Sequence, residues 1–261
     1  MARQTFPVFG SPIDVIDWQC AVSRIAGWAA ARESRYVCIC NAHSVVTATS
    51  DSAFATAVHD ADMSTPDGAP VAWLIGKQTG RAQQRINGPD LMWHYLADGT
   101  RQGGPIFLYG ATDETLQILR SRLPAAFPDL QIAGTYSPPF RPLTAEEDAE
   151  VVEMINSSGA TTVWVSLGCP KQEKWMADHR GRIRGVMIGV GAAFDYHAGT
   201  LNRAPLWMQR NGLEWLHRLA SEPGRLWKRY LVTNTLFVLL AARQLLSGAP
   251  AIRTPEEDRS Q

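Results

Sequence analysis

Two short apolar runs, residues 161–167 (TTVWVSL) and 185–190 (GVMIGV), each dissolve at their carboxyl ends into glycine and polar residues. The first passes into LGCPKQEKW, ending at Trp175, and the second into GAAFDYHAGTLNRAP, ending at Pro205. No other feature constrains the fold as tightly. Strands buried on both faces read as continuous apolar runs, and a parallel sheet delivers its functional loops at the strands' carboxyl ends. Similar runs recur at 36–40, 105–109 and 130–133, with helical patterns between them at the spacing of βα units. The expectation is an α/β fold, a mostly parallel Rossmann-like sheet with helices on both faces. Helices are expected from near Asp14 and over 44–59, 89–99, 113–127 and 144–157. Thr144 followed by Glu147 announces the last of them as a capping box.

Beyond Arg203 the alternation of strand and helix stops, and tryptophan, arginine and leucine take over (WMQRNGLEWLHRLASEPGRLWKRYLVTNTLFVLLAARQLL). The chain therefore divides into a catalytic α/β domain over 1–202, a helical appendage over 203–248 and a polar tail over 249–261 expected to be disordered. Lysine plus arginine and aspartate plus glutamate both total 25, so no global charge points to nucleic acid. Local charge is more telling. Between Arg203 and Tyr230 lie six basic residues against two acidic ones, interleaved with Trp207, Trp215, Trp227 and Tyr230. That mixture suits an anionic membrane surface, where aromatic rings sit at headgroup depth; an amphipathic helix packed on the catalytic domain is the alternative. No apolar run reaches the length of a membrane span, and the amino terminus lacks the apolar core of a signal peptide, so the expected location is the cytoplasm, at the inner membrane face.

The loops carry the chemistry. Gly168 to Glu173 opens a helix whose first amides, with Lys171, suit an anion, while Gln172 and Glu173 offer contacts to hydroxyls. Asp67 stands in TPDGAP, where Pro-Asp-Gly is also ordinary turn chemistry. Asn41 ends the first strong strand, either to orient a sugar hydroxyl or to cap the next helix. Gly189 and Gly191 lack the third glycine of a dinucleotide fingerprint, since Phe194 falls there; they allow close approach to a nucleotide, with Asp195 either contacting ribose or base or capping a helix. Asp60-Ala61-Asp62 is formally a metal-binding DxD. The histidines have no zinc spacing, no GxSxG elbow occurs, and the four cysteines read as reduced, packed thiols.

In order along roughly 10–235, the blocks Asn41, Thr65-Pro66-Asp67-Gly68, RINGPD from Arg85, GTYSPPF from Gly134, Gly168 to Trp175, Gly189 to Asp195, Arg203-Ala204-Pro205 and Glu214-Trp215 to Tyr230 resemble the WecG/TagA/CpsF glycosyltransferases, which build bacterial cell-surface polymers. The resemblance implies an inverting, metal-independent transfer without cofactor, and so sets the DxD reading aside. It places Asp67 at the family's proposed general base. The implied donor is a UDP-sugar, foremost UDP-N-acetylmannosamine, with UDP-glucose and UDP-N-acetylmannosaminuronate as alternatives. The implied acceptor is a sugar on undecaprenyl diphosphate. Without a metal, the leaving diphosphate needs Arg85, Lys171, Arg203 and helix termini, joined by Arg225 and Arg229, four residues apart on one helix face. Many relatives carry threonine where this chain has Ile39, which removes one hydroxyl contact. A homo-oligomer is compatible with the sequence. A dinucleotide-dependent oxidoreductase and a non-catalytic nucleotide-binding adaptor on the membrane surface are the rival readings.

Overall fold

The computed structural model describes residues 2–99, 104–248 and 252. Its centre is a six-stranded sheet, parallel throughout: β3 (Arg35–Cys40), β4 (Met63–Pro66), β5 (Ile106–Gly110), β6 (Ile132–Tyr136), β7 (Thr162–Ser166) and β8 (Val186–Gly189), in the spatial order β4-β3-β8-β7-β5-β6. Alternate residues of a strand point to opposite faces. Val37 and Ile39 of β3 accordingly enter one core, and Tyr36, Cys38 and Cys40 enter the other. The first core is covered by α1 (Trp18–Ala30), α5 (Gly88–His94), α6 (Asp113–Ala126) and α9 (Ala193–Ala198). The second is covered by α2 (Ala42–Thr47), α3 (Ser52–His59), α4 (Ala69–Thr79), α7 (Ala145–Ser157) and α8 (Lys171–His179). The expected sheet with helices on both faces is therefore present.

Local chemistry explains the boundaries. Thr144 and Glu147 form the expected capping box on α7. The helix expected over 44–59 is two helices, because the Asp51 carboxylate accepts from the Phe54 amide at 3.0 Å and starts α3 afresh. The segment expected as one helix over 89–99 leaves α-geometry at Tyr95 and continues as a π-helical turn, Tyr95–Gly99.

The amino terminus departs further from expectation. No helix starts near Asp14; β1 (Thr5–Val8) and β2 (Ser11–Asp14) form an antiparallel hairpin, and α1 begins four residues later, capped by Asp17. Phe9 and Gly10 at the turn both have positive φ, 52° and 90°, as the tightest hairpin turns require. Asp14 fastens this hairpin to the sheet. Its buried carboxylate accepts from the Ser64 amide at 2.7 Å and pairs with Arg3 at 2.9 Å and Arg24 at 3.3 Å.

After β8 the chain forms α10 (Leu206–Arg210), α11 (Glu214–Ser221) and the long α12 (Pro223–Leu246). Leu226, Thr233, Phe237 and Ala241 of α12 are buried, and the last two join the second core. At its end Gln244 accepts from the Phe9 amide at 3.0 Å and donates to the Pro7 carbonyl at 2.9 Å. The tail expected over 249–261 lies outside the described residues, except Ile252, which packs partly buried against the second core.

Removing one partner from a buried ion pair typically costs about 3–5 kcal/mol. Asp14→Ala, which leaves Arg3, Arg24 and the Ser64 amide without their acceptor, should destabilise the protein by about that amount. Denaturant unfolding of the variant beside the parent measures it, with a change below about 1 kcal/mol marking Asp14 as dispensable.

Candidate active site

The carboxyl ends of all six parallel strands open into one cleft of about 1100 Å³. At the β4 end stands Asp67, held by its own amide, which donates to the Cys40 carbonyl at 2.9 Å, and by Gly68, whose φ of +80° turns the chain into α4. The carboxylate faces the cleft but is otherwise enclosed by protein. Desolvation pushes its pKa up to about 6, Arg85 opposes that rise, and the negative Glu214 adds to it. Asn41 also hydrogen-bonds Asp67. The other end of the Asn41 amide is occupied: Oδ1 accepts from the His43 and Ser44 amides at 2.9 and 3.2 Å, capping α2. One residue thus both starts a helix and orients a carboxylate. Ile39, the departure from the common threonine, lines the cleft beside them.

Arg85 and Arg203 do not stand free, as expected of cations awaiting a diphosphate. Arg85 donates to Glu214 Oε2 at 2.9 Å, with 17% and 21% of the two side chains exposed. Arg203 donates to Asp90 Oδ2 at 2.8 Å and lies 3.5 Å from Glu214 Oε1. Glu214 opens α11, so this shared carboxylate ties the appendage to the base end of the cleft. The cations without an ionic partner among the described residues that line the cleft are Lys171, exposed at the start of α8, and Arg229, half-buried on α12. Arg225 lies in α12, but its side chain is outside the described residues. Arg218 also lines the cleft, 3.9 Å from Glu222 and with its guanidinium 5.9 Å from the Tyr196 ring centroid.

The floor is built by Gln172 and Glu173. The Gly191 amide donates to Gln172 Oε1 at 3.1 Å, Gln172 Nε2 donates to Glu173 Oε1 at 3.0 Å, and the Ser166 hydroxyl donates to the Gly191 carbonyl at 2.7 Å. Gln172 therefore braces the β8 loop. A Cβ on Gly189 would fall 2.8 Å from Met176 Cε and 3.0 Å from Gln172 Nε2, so a side chain there would push both away; the φ of +55° at Gly191 favours glycine. Glu173 is buried, its Oε2 has no hydrogen-bond partner, and desolvation pushes its pKa up to about 7. Asp195 lines the cleft from the first turn of α9, whose N-cap is Ala192, so Asp195 is not the cap.

The formal DxD is not at the cleft. Asp62 precedes β4 at the end opposite Asp67, where it accepts from the Tyr36 amide at 3.0 Å and from Arg35 and Arg180 at 2.7 and 2.8 Å. Among the described residues no group of three or more histidine, cysteine, aspartate or glutamate side chains is arranged to hold a metal ion.

Sequence reasoning gave no site role to His43, Tyr196, Glu214 or Arg218, although Glu214 opens and Arg218 lies within one of the blocks that carry the family resemblance. His43 lies at the start of α2, its ring 3.3 Å from the Thr233 hydroxyl of α12, and burial followed by the nearby Arg229 lowers its pKa. Nothing local shows which partners these residues meet. Glu214 is 129 positions from Arg85, and only the folded chain brings them together.

The carboxyl edge of the parallel sheet thus brings into one cleft a desolvated carboxylate, an orienting amide and, among the described residues, two cations without an ionic partner. The chain belongs to the glycosyl transferase WecG/TagA/CpsF family, whose model matches residues 6–250. Over 167 residues it is 35% identical to the N-acetylglucosaminyldiphosphoundecaprenol N-acetyl-beta-D-mannosaminyltransferase of Bacillus subtilis (strain 168); the matched stretch covers 64% of this chain and 63% of that enzyme.

Charge-assisted hydrogen bonds contribute about 1.5–3 kcal/mol, so their loss accelerates local opening by about tenfold or more. Glu214→Gln should therefore speed amide hydrogen exchange in α10 and α11 by about that factor while the central strands keep their protection. Uniform protection throughout would show that Glu214 does not hold the appendage down.

Proposed function

We propose that this glycosyltransferase moves a sugar, foremost N-acetylmannosamine, from a UDP-sugar to a sugar carried on polyprenyl diphosphate, with inversion and without a metal. The observation that carries the reading is Asp67: a carboxylate in the cleft, raised to about 6 and flanked by Asn41 and Arg85. A base with a pKa near the working pH is ionised often enough to act and basic enough to take a proton. Asp67 removes the proton from the acceptor hydroxyl as it attacks the anomeric carbon. A direct displacement at that carbon inverts it and needs no covalent intermediate. Lys171, Arg229 and Arg225 neutralise charge building on the departing diphosphate, and Arg85, held by Glu214, positions the base end. The Bacillus subtilis relative, named for an undecaprenyl-linked acceptor and a mannosaminyl group, supports this choice of substrates.

An acceptor that stays in the bilayer requires the enzyme to come to the membrane. Among the described residues no helix is long and apolar enough to cross one. On α12, Trp227, Leu231, Val232, Val238 and Leu239 are exposed on the side away from the core, and Trp207 is exposed on α10. These residues bring the protein to an anionic membrane surface as an interfacial anchor.

A panel of nucleotide sugars, assayed in chelator with a short-chain lipid-diphosphate acceptor and read by mass spectrometry, tests the reaction; no added sugar mass with any donor overturns it. Asp67→Asn should lower turnover by about 10²–10⁴-fold. Because the ionised carboxylate is the active form, kcat/KM should rise with pH through about 6. Glu214→Gln removes a negative charge that raises the Asp67 pKa, so it should move this limb to lower pH. A limb near 7 that vanishes in Glu173→Gln instead would belong to Glu173. For the anchor, Leu231→Glu combined with Leu239→Glu should reduce flotation with anionic vesicles several-fold while leaving UDP affinity unchanged. Equal flotation of variant and parent would assign the apolar face of α12 another role.

A further inference from the structure

Phe140 is fully exposed, yet it lies on the wall of the cleft. It sits in the loop after β6, behind Pro138 and Pro139, which also line the cleft. The loop is fastened on both sides. At its root the Ser137 hydroxyl donates to the Ala111 carbonyl at 2.8 Å, and beyond Phe140 the Arg141 guanidinium grips Glu147 with two hydrogen bonds at 2.7 and 2.6 Å. A large ring on a braced, proline-stiffened loop, touching nothing that buries it, is a contact surface for something the cleft receives.

Charge decides which part of a ligand reaches it. The cleft follows the strand order from Asp67 at β4 to Phe140 at β6, five strand spacings or about 24 Å. Of the cleft-lining cations Arg85, Lys171, Arg218 and Arg229, none belongs to the loops that follow β5 and β6. That end is lined by Ala111, Thr112, Glu114, Thr115 and the Pro138-Pro139-Phe140 corner. Glu114, in the first turn of α6, makes the end repellent to phosphate and suited to hydroxyls, which a carboxylate accepts. The backbone at Ala111 is held at φ +59°, a conformation a non-glycine residue adopts only when its surroundings fix it, and it turns the chain from β5 into this corner. A nucleoside diphosphate sugar has its reacting carbon at one end, its charge in the middle and its uncharged aromatic base at the other end. With the carbon at Asp67 and the diphosphate beside Lys171 and Arg229, the base falls at β6.

We infer that Phe140 is the stacking platform for the nucleobase of the donor, with Glu114 facing the ribose hydroxyls. This rests on the proposed nucleotide-sugar reaction and adds the orientation of the donor: base at β6, transferred sugar at β4. Aromatic stacking on a base discriminates little among bases, so Phe140 supplies affinity and alignment rather than a choice of nucleotide.

The test is calorimetric titration of UDP into the full chain and its variants. Because Phe140 contributes nothing to the core, Phe140→Ala folds as the parent does, and circular dichroism checks this. Its UDP affinity should fall by about tenfold or more, Phe140→Trp should restore it, and inorganic pyrophosphate, which has no base, should bind parent and Phe140→Ala alike. The KM for the lipid-linked acceptor should stay unchanged. If the parent binds UDP and Phe140→Ala binds it equally well, the platform is elsewhere and the nucleotide-sugar reading stands. If Phe140→Ala weakens pyrophosphate as much as UDP, Phe140 shapes the cleft and does not stack. If the parent binds neither UDP nor a UDP-sugar, the donor reading falls and the platform with it.

Discussion

One carboxylate, that of Glu214, holds together the parts of the cleft that would otherwise repel or drift. It takes a hydrogen bond from Arg85 at 2.9 Å and stands 3.5 Å from Arg203, which itself is clamped to Asp90. In a partly desolvated cleft such interactions are several times stronger than in water. Two consequences follow from the same charge. The appendage is pinned to the sheet domain at the point where the proposed base sits, and the base feels a negative neighbour that raises its proton affinity while Arg85 lowers it. Among the described residues, positive charge without an ionic partner is then left at Lys171 and Arg229, which also line the cleft.

The opposite wall follows another logic. Gln172 is almost wholly buried and uses both ends of its amide, one on the Gly191 backbone and one on Glu173. It works as a brace for the β8 loop, and Gly189 makes room for it. One side of the cleft is thus held by an uncharged amide and the other by ion pairs.

The strands were legible because parallel strands buried on both faces leave continuous apolar runs. The runs at 36–40, 105–109, 161–167 and 185–190 match β3, β5, β7 and β8 to within about a residue, whereas β6 starts two residues later than the run at 130–133. The β1–β2 hairpin was not legible. Pro7 and Pro12 argue against strands, and they are tolerated because they face each other in a two-stranded ribbon. The break at Asp51 was hidden because alanine and serine on both sides keep helical character. Of the site, Asp67 and the Lys171 loop could be read from local pattern and family likeness. The pairing of Arg85 and Arg203 with Glu214 could not, since charge compensation between distant positions leaves no periodic trace. Nor could the reason for Gly189, which depends on a methionine and a glutamine from another element.

The contact between Gln244 and the hairpin has a bearing on how the chain reaches this state. The amide of Phe9 and the carbonyl of Pro7 find their partner 235 and 237 positions later, and the Phe9 ring packs edge-on against Phe237, centroids 5.1 Å apart. A chain made from its amino terminus leaves this corner uncovered until α12, more than two hundred residues later, has emerged. The hairpin and α12, distant in sequence, thus complete one corner of the fold between them.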